Sequence, residues 1–76
     1  MFKVYGKELC PFCVKAIELL TERKQEFEYI DVNIVPEAME LLVSNNFKTV
    51  PQIYDTTGDH VGGYTELVAY YELLDF

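Results

Sequence analysis

Residues 5–13 have the sequence YGKELCPFC and contain Cys10 and Cys13, the only cysteines among the 76 residues. Before them, residues 2–5 (FKVY) alternate apolar and polar side chains, a pattern that predicts a short β-strand. After Cys10, apolar residues recur at helical spacing, and Pro11 suits the first turn of a helix because its missing N–H is not needed there. The stretch therefore predicts a strand that leads through a loop into a helix, with both cysteines at the start of that helix.

The spacing of the two cysteines favours redox chemistry over a structural role. A disulfide across a four-residue ring restricts little of the unfolded chain, about 1.9 kcal/mol against about 4.7 kcal/mol for a hundred-residue loop. A structural zinc ion needs four ligands, and His60 is the one other strong candidate, so no metal site is expected. Two buried cysteines without a chemical role are the remaining alternative.

The two cysteines are expected to have different roles. The first turn of a helix presents unpaired N–H groups and the positive end of the helix dipole, and Lys7 adds positive charge before Cys10. Both effects stabilise a thiolate at Cys10 and lower its pKa below the usual value of about 8.5. Cys13 follows one turn later on the same helical face, where it should be more shielded. We therefore expect Cys10 to attack a disulfide and Cys13 to resolve the mixed disulfide that forms.

Length, charge and hydropathy exclude several classes of protein. With 76 residues the chain has room for a single domain, residues 1–76. Thirteen acidic residues against six basic ones give a net charge of −7, and no Lys/Arg cluster is present to bind nucleic acid. No apolar run reaches the ~18–20 residues that cross a membrane, and the N-terminus lacks the apolar core of a signal peptide. We expect a cytoplasmic protein without a nucleic-acid or membrane partner.

The whole pattern predicts four strands and three helices. The strands are predicted at residues 2–5, 26–32, 52–54 and 60–62, and the helices at 11–24, from 36 onward, and at 65–74. The predicted inward-facing residues are Val14, Ala16, Ile17 and Leu20 in the first helix, Met39, Leu42 and Val43 in the second, and Leu67, Val68, Tyr71 and Leu74 in the third. The turn sequence DTTGD of residues 55–59 predicts that the last two strands form an antiparallel hairpin. The fold class is therefore α/β, β-α-β-α-β-β-α, with a parallel first crossover and a four-stranded mixed sheet flanked on both faces by the three helices.

Three segments of the chain together resemble the glutaredoxin family of the thioredoxin-like fold. Residues 5–13 (YGKELCPFC) look like the active-site segment of the family, with Phe12 where tyrosine is more common. Residues 49–54 (TVPQIY) look like its TVP segment, and residues 62–66 (GGYTE) look like its glycine-containing glutathione loop. The likeness covers essentially the whole chain and implies a thioredoxin-like fold.

The resemblance also implies a glutathione-binding site. In the family the proline of the TVP segment is cis, which would make the Val50–Pro51 bond cis and let the Val50 backbone pair with the cysteinyl part of glutathione. Lys7 would bind the glycyl carboxylate, with Lys48 as a second candidate. The N-terminus of the last helix, with the Thr65 hydroxyl, would bind the γ-glutamyl carboxylate. The implied glutathione-binding residues are Lys7, Phe12, Thr49, Val50, Pro51, Gly63, Tyr64, Thr65 and Glu66.

Three further side chains are interpreted with these segments in view. Family members commonly carry aspartate at the positions of Thr65 and Glu66, so Glu66 either accepts a hydrogen bond from the γ-glutamyl ammonium or stabilises the helix N-terminus as a solvated acid. Asp31, at the end of the second strand, is interpreted as a solvated acid rather than a proton-transfer group. His60 is interpreted as a strand residue without a partner.

The implied function is glutathione-dependent reduction of protein disulfides and of protein–glutathione mixed disulfides. Glutathione would serve as co-substrate, with no tightly bound cofactor, and the protein is expected to be a monomer. In the family a frequent client is ribonucleotide reductase. One alternative is a glutaredoxin-like redoxin that thioredoxin reductase recharges. Another is a module that binds an iron–sulfur cluster across a dimer, against which Pro11 and Cys13 argue.

Overall fold

The computed structural model describes residues 1–75, which form four strands and three helices. The strands are β1 (Phe2–Gly6), β2 (Phe27–Asp31), β3 (Gln52–Tyr54) and β4 (His60–Gly62), and the helices are α1 (Pro11–Glu22), α2 (Pro36–Ser44) and α3 (Tyr64–Asp75). Their order along the chain is β-α-β-α-β-β-α, which confirms the predicted fold class. Within residues 1–75 no helix has both the length and the hydropathy needed to cross a membrane.

The strands form a single mixed sheet in the order β2-β1-β3-β4. The interior strand β1 runs parallel to β2 and antiparallel to β3, so Val4 pairs with Tyr29 on one side and with Ile53 on the other. The predicted antiparallel hairpin is present, because β3 pairs with β4. The loop that carries the cysteines therefore begins at a strand that is hydrogen-bonded on both edges.

Successive side chains of β1 point to opposite faces of the sheet and so belong to two separate cores. Phe2 and Val4 are buried on the face that packs against α1 and α3. Tyr5 belongs to the other face, where α2 contributes Ala38 and Leu42 to a smaller core. The larger core consists of Phe2, Val4, Ala16, Leu20, Ile53, Leu67 and Tyr71. The sheet thus has helices on both faces, as predicted.

The prediction of inward-facing residues is wrong for four apolar side chains. The exposed ones are Val14, Met39, Val43 and Leu74. Val14, Met39 and Val43 each directly follow a buried residue, and successive residues on a helix point about 100° apart. Leu74 lies in the last turn of α3, beside Asp75, whose carboxylate accepts hydrogen bonds from the exposed Arg23. The end of α3 therefore faces polar surroundings rather than the core.

The turn of the β3–β4 hairpin is organised by the carboxylate of Asp55. Its Oδ1 atom accepts hydrogen bonds from the backbone N–H of Thr57 (2.9 Å), from the hydroxyl of Thr57 (2.7 Å) and from the backbone N–H of Asp59 (3.0 Å). These bonds, above all the one from the Thr57 hydroxyl, hold the pKa of Asp55 below its usual value, against the opposing effect of partial burial. The charged form of Asp55 therefore stabilises the hairpin.

We predict that Asp55→Ala lowers the free energy of unfolding by about 1 kcal/mol at neutral pH, because it removes the acceptor of these hydrogen bonds. Since the pKa of Asp55 is lower in the folded protein, its contribution is present above the unfolded value of about 3.9 and is lost as pH falls through the folded-state pKa. Urea denaturation at neutral pH and at about pH 2.5 measures both effects.

Asp59→Ala is the matched control for Asp55→Ala, because within the described residues the Asp59 carboxylate accepts a single hydrogen bond of 3.2 Å, from the Thr57 hydroxyl. We expect this variant to lose less stability at neutral pH. Equal losses for the two variants, or a loss for Asp55→Ala that persists unchanged in acid, would show that the Asp55 carboxylate does not organise the turn.

Candidate active site

Cys10 occupies the cap position at the start of α1, immediately before Pro11. Its backbone is extended (φ −109°), and its Sγ atom accepts a hydrogen bond of 3.2 Å from the backbone N–H of Cys13. The sulfur thus satisfies one of the N–H groups that a helix N-terminus leaves unpaired. The first turn of α1 has no acidic residue, so negative charge on this sulfur meets the positive end of the helix dipole without a competing carboxylate.

Cys13 lies one turn further along α1 and is joined to Cys10 by a disulfide, with the two Cα atoms 5.2 Å apart. The Cys13 residue is 2% exposed, against 8% for Cys10, so the sulfur at the helix start belongs to the more accessible residue. Gly6 contributes to the shielding: a Cβ atom there would lie 2.9 Å from Cys13 Sγ and 3.0 Å from the Tyr29 hydroxyl oxygen. Any larger residue at position 6 would displace the Cys13 sulfur or the tyrosine ring.

The segment that leads into β3 faces the sulfur of Cys10. The Val50–Pro51 peptide bond is cis, as the resemblance implied, and Pro51 is buried. The carbonyl oxygen of Val50 lies 3.7 Å from Cys10 Sγ. Within residues 1–75 the backbone N–H of Val50 donates no hydrogen bond to another group of the chain. The Val50 backbone therefore contacts the reactive sulfur through its carbonyl oxygen, and its N–H group can donate a hydrogen bond to a ligand.

Two grooves meet at Thr49 and Val50. The first, named the α3-side groove, has a volume of about 240 Å³. It is lined by Phe12, Thr49, Val50, Pro51, Gly63, Tyr64, Thr65 and Glu66. These are eight of the nine residues for which the resemblance implied contact with glutathione, and the structure brings them together around one cavity.

The ninth residue, Lys7, lies in the second groove, named the α2-side groove, together with Cys10 and Lys48. This groove has a volume of about 510 Å³ and shares Thr49 and Val50 with the first. Its remaining lining is mainly apolar and consists of Leu9, Pro11, Val32, Asn33, Met39, Leu42, Val43 and Phe47. None of the acidic residues among positions 1–75 lines this groove, so it is locally positive on an acidic protein.

Phe12 and Tyr64 form an aromatic wall of the α3-side groove. Their rings are stacked with centroids 6.1 Å apart, and the Lys15 ammonium lies 5.4 Å from the centroid of Phe12 and 5.9 Å from that of Tyr64. Phe12 nevertheless stays 54% exposed. Stacking and the nearby cation orient this exposed ring beside the redox pair, where it can contact a bound molecule.

Glu66 caps α3 from its first turn. Its Oε1 atom accepts a hydrogen bond of 2.7 Å from the backbone N–H of Gly63, the residue that precedes the helix, as in a capping box. Gly62, with a φ of 122°, leaves the space for this side chain, since a Cβ atom there would lie 2.7 Å from Glu66 Cγ. The structure thus shows the helix-stabilising role of Glu66, and contact with the γ-glutamyl ammonium stays a prediction.

Two residues without a predicted role, Gln52 and His60, contact the segment that leads to Val50. The interpretation of His60 as a residue without a partner is wrong, because its Nε2 lies 2.8 Å from Oε1 of Gln52 and its ring stacks on Phe47. Gln52 is 7% exposed, so its side-chain amide is buried and needs hydrogen-bond partners. A glutamine between Pro51 and Ile53, at the start of a short apolar strand, is the sequence signal that points to it.

Asp31, at the end of β2, accepts a hydrogen bond of 2.8 Å from the backbone N–H of Asn33 through Oδ1. This contact closes a local turn, as short acidic side chains commonly do, so Asp31 has a structural role here. Within residues 1–75 no cluster of three or more His, Cys, Asp and Glu side chains is arranged to hold a metal ion.

Several known proteins similar to this chain are described as glutaredoxins. The glutaredoxin family model matches residues 2–61. The glutaredoxin of Enterobacteria phage T4 is 37% identical over 89 aligned residues, which cover 95% of this chain and 100% of that protein. Glutaredoxin 1 of Escherichia coli strain K12 is 31% identical over 75 residues, covering 88% of this chain and 87% of that protein. The crystal structure of glutaredoxin 1 from Francisella tularensis complexed with cacodylate has a TM-score of 0.79 at 27% identity, covering 99% of this chain and 96% of the other.

We predict that Gly62→Ala lowers the free energy of unfolding by about 2–3 kcal/mol, because the φ of 122° is strained for alanine and the new Cβ would collide with Glu66. Gly58→Ala is the matched control. Gly58 has a φ of 88°, but no atom lies within 4 Å of an added Cβ, so we expect backbone strain alone, about 1 kcal/mol. Urea denaturation measures both variants, and equal losses would mean that Glu66 does not need the space at position 62.

Proposed function

The chain belongs to the glutaredoxin family and is a thiol–disulfide oxidoreductase, and from that premise we propose that glutathione is its co-substrate and source of electrons. The proposed substrates are protein disulfides and mixed disulfides between proteins and glutathione. The observation that carries the proposal is the position of the Cys10 sulfur, between the N-terminus of α1 and the backbone of Val50, where the two grooves meet. A glutathionyl group bound there would present its sulfur to Cys10 with its two ends in different grooves.

In the proposed reaction the thiolate of reduced Cys10 attacks the glutathionyl sulfur of a mixed disulfide. A bond forms between Cys10 and glutathione, the S–S bond of the substrate breaks, and the client protein leaves as a thiolate that takes a proton from water. The thiolate of a second glutathione then attacks the glutathionyl sulfur on Cys10. This step releases glutathione disulfide and restores the Cys10 thiolate.

Protein disulfides are proposed to use both cysteines. Cys10 attacks one sulfur of the client, and the second client sulfur leaves as a thiolate. Cys13 then attacks Cys10 in the mixed disulfide, which frees the reduced client and forms the Cys10–Cys13 disulfide. Two glutathione molecules reduce that bond and become glutathione disulfide. The 5.2 Å separation of the two Cα atoms supports this internal exchange, because it lies within the usual range for a disulfide.

The α3-side groove suits the γ-glutamyl end of glutathione. The Glu66 carboxylate already accepts the N–H of Gly63, so the glutathione carboxylate is proposed to bind the next two N–H groups, those of Tyr64 and Thr65. The Thr65 hydroxyl is exposed and offers a further donor. The γ-glutamyl ammonium would lie next to the second carboxylate oxygen of Glu66. Phe12 is proposed to pack against the tripeptide.

The α2-side groove suits the glycyl carboxylate and the client polypeptide. Lys7 lines this groove beside Cys10, and Lys48 offers a second positive charge. The exposed side chains of Met39 and Val43 extend the apolar lining. A client segment that has acidic and apolar side chains next to its reactive cysteine would complement this surface.

Ribonucleotide reductase is a proposed client on the strength of the family resemblance. Its active-site disulfide must be reduced again after each turnover, which suits a dithiol mechanism. A cytoplasmic location is proposed with it, since that compartment maintains thiols in the reduced state. A redoxin recharged by thioredoxin reductase is the alternative, and it would use Cys10 and Cys13 while the α3-side groove had no glutathione to bind.

We predict that Cys10→Ser abolishes reduction of both kinds of substrate, because it removes the attacking sulfur. Cys13→Ser should retain reduction of a glutathionylated peptide and lose most reduction of a protein disulfide, because only the second reaction needs an internal resolving thiol. Both rates are measured with glutathione, glutathione reductase and NADPH. Equal loss of the two activities in Cys13→Ser would contradict the assigned roles.

A further inference from the structure

We infer that Gln52 and His60 are positioning residues of the redox site: together they hold residues 47–51 where the Val50 backbone meets Cys10. Neither Gln52 nor His60 lines the α2-side or the α3-side groove, so both act through the segment between those grooves. The inference rests on the proposed function for its kinetic test, and a second test below does not depend on glutathione.

The side-chain amide of Gln52 links this segment to β4. Its Nε2 atom donates hydrogen bonds to the carbonyl oxygen of Thr49 (2.9 Å) and to the Thr49 hydroxyl oxygen (3.4 Å). Its Oε1 atom lies 2.8 Å from Nε2 of His60. Because Gln52 is 7% exposed, loss of either partner would leave a buried polar group unsatisfied.

The chemistry of the partners determines the direction of every bond. A carbonyl oxygen only accepts hydrogen bonds, so the amide group that faces the Thr49 carbonyl must be the NH₂ of Gln52. The amide oxygen therefore faces His60, and since that oxygen also only accepts, Nε2 of His60 must carry a proton. His60 donates this hydrogen bond in its neutral Nε2–H form and in its charged form alike.

His60 makes a second contact with the same segment. Its ring stacks on Phe47, with centroids 4.5 Å apart and planes at 18°. The backbone N–H of Phe47 in turn donates a 2.9 Å hydrogen bond to the Leu42 carbonyl at the end of α2. The segment is thus held by the stack at Phe47 and through Gln52 at Thr49. The next residue, Val50, is the one that contacts the Cys10 sulfur.

The support for this arrangement comes from the sheet. His60 pairs with Tyr54 in the β3–β4 hairpin, and their rings lie 5.1 Å apart. Residues 47–51, by contrast, belong to no helix or strand. A strand of the sheet therefore positions an irregular segment whose backbone is proposed to bind glutathione. Loss of the link should weaken substrate binding and leave the activation of Cys10 by α1 intact.

The kinetic test compares the parent protein with Gln52→Met and His60→Phe. The first variant keeps the length of the side chain without a donor for Thr49, and the second keeps a ring on Phe47 without the N–H. We expect KM for a glutathionylated peptide to rise about three- to tenfold in each, equivalent to about 0.7–1.4 kcal/mol at 1.4 kcal/mol per tenfold. kcat should change less than about twofold, the pattern of lost binding rather than lost chemistry.

Two further measurements separate positioning from general stability. Alkylation of reduced Cys10 by iodoacetamide, a small reagent that needs no groove, should proceed at the parent rate in both variants. Asp55→Ala, which weakens the same hairpin without contacting residues 47–51, should leave KM unchanged. The inference would be overturned if KM rose as much in Asp55→Ala as in Gln52→Met and His60→Phe. It would also be overturned if alkylation of Cys10 slowed by the same factor as KM rose.

Gln52→Glu identifies which half of the link matters. Glutamate keeps an acceptor for His60 but presents an oxygen to the Thr49 carbonyl, so we expect KM to rise at least as much as in Gln52→Met. A parent-like KM in Gln52→Glu would show that the bond to Thr49 does not hold the segment.

The second test uses NMR and needs no substrate. The side-chain amide protons of Gln52 should exchange with water more slowly than those of Gln25, whose Nε2 makes a 3.4 Å hydrogen bond on the exposed surface. His60→Phe should accelerate exchange at Gln52 alone. If the parent protein did not turn over a glutathionylated peptide, the proposed function would be wrong. The exchange measurement would still test the inference, because it needs no substrate. Equal exchange rates for Gln52 and Gln25 in the parent would overturn it.

Discussion

The hydrogen bond from the Cys13 backbone N–H to the sulfur of Cys10 is the contact on which the rest of the site depends. It makes the sulfur the cap of α1, so the electrostatics of a helix terminus act directly on the reacting atom. The fold supplies what this contact needs. β1, paired on both edges, ends in Gly6, whose lack of a side chain leaves room for the Cys13 sulfur. The loop then reaches the helix through Leu9, which adopts a left-handed conformation with a φ of 59°.

Residues 47–51 provide a second contact to the Cys10 sulfur, through the Val50 carbonyl. They form the boundary between the α2-side and α3-side grooves, and the Cys10 sulfur contacts the Val50 carbonyl as well as the Cys13 N–H donor. A substrate at the sulfur therefore has a positive, largely apolar groove on one side and an aromatic groove with a helix N-terminus on the other. In the proposed complex this separation would give each of the two carboxylates of glutathione its own local source of positive potential on an acidic chain.

The sequence predicts most of the fold and much of the site, and the misses have physical causes. Periodicity and turn chemistry identify all seven elements, and the segments at residues 5–13, 49–54 and 62–66 identify eight residues that line a single groove. The exposure of Val14 and Met39 could not be predicted from the sequence. A broad apolar stripe on a helix does not indicate which of its two edges a neighbouring helix or sheet covers. The partners of His60 depend on the pairing of β3 with β4 and on the path of the chain after α2, and tertiary structure alone decides both. The capping role of Glu66 involves only Gly63 and Glu66, which are three residues apart in the sequence. The sequence could therefore offer helix stabilisation as one of the two alternatives for Glu66.

Glutathione is proposed to supply the electrons that reduce the Cys10–Cys13 pair. The most direct measurement is the turnover of a glutathionylated peptide by catalytic amounts of the protein, with glutathione, glutathione reductase and NADPH as the only source of electrons. We predict rapid NADPH oxidation that depends on the protein, and none when thioredoxin reductase replaces glutathione and its reductase. Turnover with thioredoxin reductase alone, with both thiols intact, would contradict the claim and leave Lys7, Thr65 and Glu66 without their proposed ligand.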